Sequence, residues 1–259
     1  MAPQLSSSFI SIALLFAVAF ANFGQQAHGS VFEFSYAGLH GPANWGSLNP
    51  KFSTCSSGKL QSPINIIKNK AVGNKSLTPL TRVYKRGNAI LVNNGFNIGV
   101  HYEANCGALI VDGKNYTFKQ MHWHSPSEHQ IDGVQLKVWP LSRKVLTNKS
   151  HSCLQITKKL GDLAKDACAG NEEAQIPIGP LDNKLLRKNT RKYYRYIGSI
   201  TSPPCTENVI WNVLGKVRTI SKEQVEALKA PLGADYKQNS RPLQSLNGRK
   251  VELYNEFSD

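Results

Sequence analysis

Short runs of alternating or β-branched side chains dominate the middle of the chain. Ala89 to Val92, Ile98 to Tyr102, Ala108 to Val111, Tyr116 to His124 and Val209 to Val213 each read as strands. Asn94-Gly95 and Asp112-Gly113 separate them with the φ-positive dipeptides that tight hairpins require. Helical periodicity is rarer. Ile156, Leu160, Leu163 and Ala167 form one apolar stripe that ends near Gly170. Ser221-Lys-Glu-Gln224 is a capping box that opens a short helix, and Pro231 stops it. The pattern predicts a mainly β protein: an antiparallel sheet with small peripheral helices.

Composition narrows this picture. The chain has 259 residues, 41% of them apolar, which is enough for a well-filled core. Aromatics at 9%, with 13 Pro and 20 Gly, exclude a disordered or collagen-like chain. Thirty-one Lys and Arg against seventeen Asp and Glu leave a net charge of +14.

None of that charge lies in residues 1–29. There Phe9 to Phe20 is an apolar run of signal-peptide length, with small residues offering cleavage after Ala21 or Gly29. The alternative reading is a buried N-terminal helix. Residues 30–259 are read as one domain, since they hold no repeat, low-complexity tract or linker, and no further stretch reaches membrane-spanning length. Secretory entry fits three glycosylation sequons, at Asn74, Asn115 and Asn148. It also fits cysteines at 55, 106, 153, 168 and 205, which lack any metal-finger spacing and suit one or two bridges.

The chemistry concentrates in Gln120-Met-His-Trp-His-Ser-Pro-Ser-Glu-His129. On a strand, Gln120, His122 and His124 share one face while Met121 and Trp123 pack on the other. Two imidazoles about 7 Å apart along a strand can converge on one cation, zinc being favoured. A catalytic centre would add a third protein ligand and an open position for water.

With its neighbours, this segment resembles the α-class carbonic anhydrases, most closely the plant type. The stretches that carry the resemblance are Tyr36 to Pro50, Cys55 to Ile66, Gln120 to His129, Tyr193 to Trp211, Asn239 to Gln244 and Leu246 to Arg249. Together they span roughly 32–133 and 158–256. The resemblance implies a central twisted antiparallel β-sheet with a zinc ion at the bottom of a conical cleft. It also implies reversible hydration of CO2 to bicarbonate by zinc-bound hydroxide.

On this match His122 and His124 are zinc ligands, and Gln120 orients one imidazole. Thr201 accepts from the bound hydroxide and donates to Glu128. Ser202 stands near the substrate, Trp211 lines the CO2 pocket, and Tyr36 joins the solvent network. His129 is a buried structural histidine, and Cys55 and Cys205 are the family's disulfide pair.

The departures lie together. The third zinc histidine of the family falls on Leu141, preceded by Trp139 and Pro140, and residues 135–155 match nothing in the family. One or two central strands are expected to be missing there. Cys153 and Asn148 lie in the same stretch, and His151 is the one nearby histidine that could substitute. Phe96 occupies the place where the family often carries a proton-shuttling histidine.

Three functions follow as expectations: a zinc carbonic anhydrase impaired at its third ligand, a catalytically silent relative used for storage or binding, and a polyanion binder. The last is suggested by the basic and aromatic run Arg187 to Arg195, for which acidic polysaccharide or an anionic membrane surface suits better than nucleic acid. The expected destination is the cell wall or extracellular space, the vacuole, or the chloroplast stroma.

Overall fold

Two one-turn helices, α1 (Trp45–Leu48) and α2 (Thr54–Ser57), lead into a run of short strands. These are β1 (Asn65–Ile66), β2 (Val72–Gly73), β3 (Thr81–Arg82), β4 (Gly87–Asn93), β5 (Ile98–Tyr102), β6 (Ala108–Val111) and β7 (Lys114–Thr117). They continue with β8 (Gln120–Trp123), β9 (Gln130–Ile131) and β10 (Val134–Gln135). Helix α3 (His151–Cys168), strands β11 (Gln175–Leu181), β12 (Lys192–Ser199) and β13 (Glu207–Leu214), helix α4 (Lys222–Lys229) and β14 (Glu252–Asn255) complete the order. The computed structural model describes residues 33–135, 151–168, 174–182, 190–215 and 220–257. The N-terminal apolar run, Trp139, Pro140, Leu141 and Asn148 lie outside the described residues, as do the side chains of His151 and Cys153.

The expected mainly β architecture is present, with its central sheet in two four-stranded pieces. One piece has the order β11-β4-β5-β8, the other β13-β12-β14-β2. Among the described residues β8 and β13 are end strands of these two pieces. The chain between β10 and α3 is the stretch 136–150, which lies outside the described residues.

One apolar core joins the halves. Met121 and Trp123 from β8 share it with Tyr196 of β12 and with Trp211 and Val213 of β13. The stripe of α3 holds as expected: Ile156, Leu160 and Leu163 are buried, and α3 packs on β4 and β11. The capping box of α4 is complete, with Ser221 and Gln224 satisfying each other's backbone N–H groups.

The hairpin signals read correctly. At β6–β7, Asp112 and Gly113 take φ of 49° and 74°, the left-handed pair of a two-residue turn that follows strand twist. One predicted strand is corrected. Tyr116 to His124 is not continuous, because β7 pairs with β6 while β8 pairs with β5. Between them Phe118 turns into the core and stacks on Tyr84 with ring centroids 4.7 Å apart. Burying that ring is worth more than two further ladder bonds.

Residues 187–189 of the basic run lie outside the described residues, and the rest of it reads differently in three dimensions. Tyr193, Tyr194 and Tyr196 are core residues, so they offer no stacking platform for bases. Arg195 is buried, and its Nη1 donates to both carboxylate oxygens of Asp112, each at 2.8 Å, which ties β12 to the β6–β7 turn.

Cys55 and Cys205 form a disulfide across a sequence separation of 150. It anchors the N-terminal aromatic cluster of Phe34 and Trp45 to the loop after β12. Closing a loop of that length stabilises the fold by about 5 kcal/mol in the chain-entropy account. The double variant Cys55→Ser/Cys205→Ser should therefore lose about 3–5 kcal/mol in urea unfolding. A loss below about 1 kcal/mol would show that the N-terminal cluster holds without its bridge.

Candidate functional site

Strand β8 places the candidate residues by its register. His122 stands opposite Gly99 of β5, and Gln120 stands opposite His101. Met121 and Trp123 go to the core, and the His122 and His124 rings come together on the other side, with centroids 5.0 Å apart at 69°. Burial holds the His122 imidazole well below its ordinary range, with His124 and then His101 adding to the effect, so it is neutral at physiological pH.

His124 is fixed from behind. Its Nδ1 lies 2.6 Å from the carbonyl oxygen of Asn239. A carbonyl only accepts, so Nδ1 carries the proton and Nε2 carries the lone pair. That Nε2 is buried, with no hydrogen-bond partner. The side chain of Asn239 closes the corner by accepting from the Ser125 N–H and donating to the Phe96 carbonyl, both at 2.9 Å.

Glu128 and Thr201 meet beside this pair. The Thr201 hydroxyl donates to Glu128 Oε2 at 2.7 Å, and the Arg241 backbone N–H donates to Oε1 at 3.3 Å. Burial pushes the Glu128 carboxyl up, while His124, Thr201 and Arg241 pull it back. Arg241 is itself held by the Cys55 and Ser62 carbonyls and the Gln61 side chain.

The remaining expected residues fall around this centre. His129 is a buried packing residue: its Nε2 meets the Tyr196 hydroxyl at 2.5 Å, and its ring packs 4.4 Å from Trp211. Burial lowers its pKa to about 3. Trp211 is buried and donates to the Ser199 carbonyl at 2.9 Å. Tyr36 packs edge-on against Trp45 with its hydroxyl buried and unpartnered. Phe96 packs on Phe34, 5.2 Å between centroids. Ser202, half-buried, accepts the Cys205 N–H at its carbonyl at 2.9 Å, and Gln120 is exposed and bonded to His101.

A zinc ion would suit the neutral imidazole of His122 and the orphaned Nε2 of His124. The donor set is nevertheless one short. Among the described residues no three His, Cys, Asp or Glu side chains stand as a metal-holding group. A three-ligand catalytic centre is therefore not formed by them.

Sequence reasoning gave no role to Asn239, Arg241 or His101. Asn239 and Arg241 stand in a quoted motif, Asn239-Ser-Arg, whose buried polar residues signalled structural work. His101 was visible as the strand neighbour two positions beyond Gly99.

A mainly β fold with a histidine pair backed by a buried Glu–Thr link defines the class. The sequence model of the family described as eukaryotic-type carbonic anhydrase matches residues 40–138 and 143–255. The interruption between them is 139–142, which contains Leu141 but corrects the expected break at 135–155 to a much shorter one. Alpha carbonic anhydrase 7 of Arabidopsis thaliana is 34% identical over 95% of this chain and 94% of its own. Dioscorin dioA3 of Dioscorea japonica is 34% identical over 87% of each chain.

Among solved structures, dioscorin complexed with ascorbate superposes with a TM-score of 0.78 at 32% identity, covering 87% of this chain and 99% of that one. The α-carbonic anhydrase of Thermovibrio ammonificans, in complex with sulfanilamide, gives 0.67 at 30% identity, over 88% and 100%. The chain belongs to the α-carbonic anhydrase family, and its curated relatives make it plant-type.

The buried imidazoles set an acid limit. A histidine whose folded pKa is depressed contributes stability above its unfolded value of 6.5, and loses it as pH falls from there towards the folded value, about 3 for His129. Each such group should give a slope of up to about 1.4 kcal/mol per pH unit between about pH 6 and pH 4. Urea unfolding across that range should show the slope, and His129→Gln should flatten it. Equal slopes in both proteins would contradict the assignment.

Proposed function

We propose that this chain is a CO2-hydrating enzyme of its family whose turnover is limited by metal retention. The observation that carries the reading is the Thr201-to-Glu128 hydrogen bond of 2.7 Å beside His124. Thr201 has one proton, and it is committed to the carboxyl. Towards the cleft its oxygen can therefore only accept. A water or hydroxide beside the histidine pair must donate to it, which turns that oxygen's remaining lone pair towards the substrate. Glu128 keeps this direction fixed because it is itself held by Arg241 and close to His124.

The impairment follows from the donor count. His122 and His124 without a third protein ligand at Leu141 hold zinc weakly, since each lost bond also loosens the geometry of the others. Phe96 leaves the usual shuttle position apolar, so proton export depends on buffer or another group.

A second reading is a catalytically silent storage or binding protein. The lack of a third donor among the described residues favours it, and so does the similarity to dioscorins, one of which is solved with ascorbate. Zinc per chain after dialysis against a mild chelator, together with stopped-flow CO2 hydration, separates the two. The enzyme reading expects measurable zinc and activity, abolished in His122→Ala and lowered about 10- to 100-fold in Thr201→Ala. Zinc near zero, with hydration no faster than buffer, would leave the silent reading.

Entry into the secretory pathway is part of this proposal. The Cys55–Cys205 bridge supports it, because such bonds persist in oxidising compartments. Beyond entry, the cell wall, vacuole and chloroplast stroma remain the candidate destinations. Asn115 is exposed on β7, whereas the Asn74 amide is engaged with Glu252 at 2.8 Å. Glycan removal from protein expressed in plant cells should therefore shift wild type and Asn74→Gln by the same amount. A mass shift lost in Asn74→Gln and kept in Asn115→Gln would reverse this ranking.

A further inference from the structure

The positive charge is unevenly placed along the chain. Residues 34–102 hold eight Lys and Arg and no Asp or Glu, so more than half of the net +14 belongs to this one segment. Three of its cations, Lys59, Lys70 and Lys75, are exposed, and the fold lines them up with a fourth exposed lysine, Lys250. The Asn247 side chain donates to the Lys59 carbonyl at 3.0 Å, which holds the turn ahead of Lys250 beside Lys59. Strand β14 then runs parallel to β2, with Glu252 paired to Val72 and the Val72 N–H donating to the Val251 carbonyl at 2.9 Å. Lys250 and Lys70 therefore lead into neighbouring strands, about 4.8 Å apart. Lys75 follows β2 at its other end, at most about 18 Å along the chain from Lys70. The four form a ribbon along the β2 edge of the sheet.

Among the described residues none of these four lysines makes an ion pair. The other charges nearby are committed. Lys68 is paired with Asp132 at 3.0 Å, and the Arg249 guanidinium is turned onto the carbonyls of Gln61, Ile197, Ser245 and Leu246. Glu207 and Glu252 are half-buried. Glu207 accepts from the Leu60 N–H and the Gln61 side chain, and Glu252 accepts from the Asn74 side chain. Lysines on an edge strand can serve only to keep it from pairing with another sheet. That role covers Lys70 and Lys75, but Lys59 and Lys250 stand off the edge strand.

We propose that this ribbon is a docking surface for a linear acidic polysaccharide, one that carries carboxylates along its length. Lysine is a point charge that suits closely repeated carboxylates, whereas forked phosphate recognition favours arginine, and Arg249 faces inward. A row of charge fits a linear chain. A membrane surface would need a broad apolar face to insert, and the exposed apolar side chains here are isolated ones such as Val72 and Leu246. Nucleic acid would need rings to stack on, and the tyrosines of the neighbouring β12 are buried. The proposal does not rest on zinc or on CO2 hydration.

The test uses polygalacturonate as the probe and the full mature chain, with binding followed by titration calorimetry at low and at physiological salt. Wild type should bind polygalacturonate and not neutral dextran, and binding should weaken as salt rises, because released counterions drive the association. The variant Lys59→Gln/Lys70→Gln/Lys75→Gln/Lys250→Gln should bind about tenfold or more weakly, with a shallower salt dependence and unchanged far-UV circular dichroism. A variant of equal charge, Lys114→Gln/Lys158→Gln/Lys165→Gln/Lys222→Gln, should bind within about twofold of wild type. In wild type alone, bound polygalacturonate should shield the four ribbon lysines from amine acetylation and leave the other four reactive.

Equal losses in the two variants, or equal shielding of both sets of lysines, would reduce the effect to net charge and overturn the surface. Tighter binding to phosphatidylserine vesicles or to duplex DNA would overturn the partner. No binding of polygalacturonate at low salt would overturn the proposal outright. Self-association of the ribbon variant with unchanged polysaccharide binding would leave the lysines as edge guards only.

Discussion

Glu128 reaches three parts of the chain while only 2% of its surface is exposed. Thr201 from the loop after β12 donates to one oxygen, the Arg241 backbone from the C-terminal loop donates to the other, and His124 lies 3.5 Å away. A buried carboxyl with fewer partners would cost several kcal/mol in desolvation. Here the cost is offset by groups that can stand nowhere else without leaving it unsatisfied. The orientation of Thr201, the path of residues 239–241 and the seat of His124 are therefore one constraint.

The same interlock joins two four-stranded pieces that share no strand pairing among the described residues. Between the β8 and β13 halves the described links are side-chain links. Glu128 holds Thr201, His129 meets Tyr196, and Ser62 shares the Tyr196 hydroxyl at 2.8 Å. Around these, Trp211 packs on His129, and Arg241 reaches both Cys55 and Ser62. Directional polar bonds and aromatic packing do here what ladder hydrogen bonds do within each half.

Much of this was legible in the chain. Period-two alternation gave β5 and β6 to the residue, and the Asp112-Gly113 turn and the Ser221 capping box carry their geometry in two or four letters. The pairing of His122 with His124 on one face follows from strand period alone. Long-range contacts were legible only through resemblance. Thr201 and Glu128 are 73 residues apart, and no local pattern brings them together. The break in Tyr116 to His124 depends on which sheet each half joins, a tertiary choice made by the burial of Phe118. His101 escaped notice because a single histidine on a strand has meaning only once its neighbour across the ladder is known.

Asn239 and Arg241 come late in the chain, yet they seat residues 115 and 113 positions earlier. During synthesis β8 is made and its histidines are available long before either anchor exists. Until the C-terminal loop emerges, His124 has no carbonyl to fix its tautomer, and Glu128 has no backbone donor. The cleft is thus completed only once residues 239–241 have been made, and contacts of such long sequence separation form slowly. A ribosome-bound or C-terminally truncated chain would carry the histidine pair without its orientation: folded in part, and chemically unfinished.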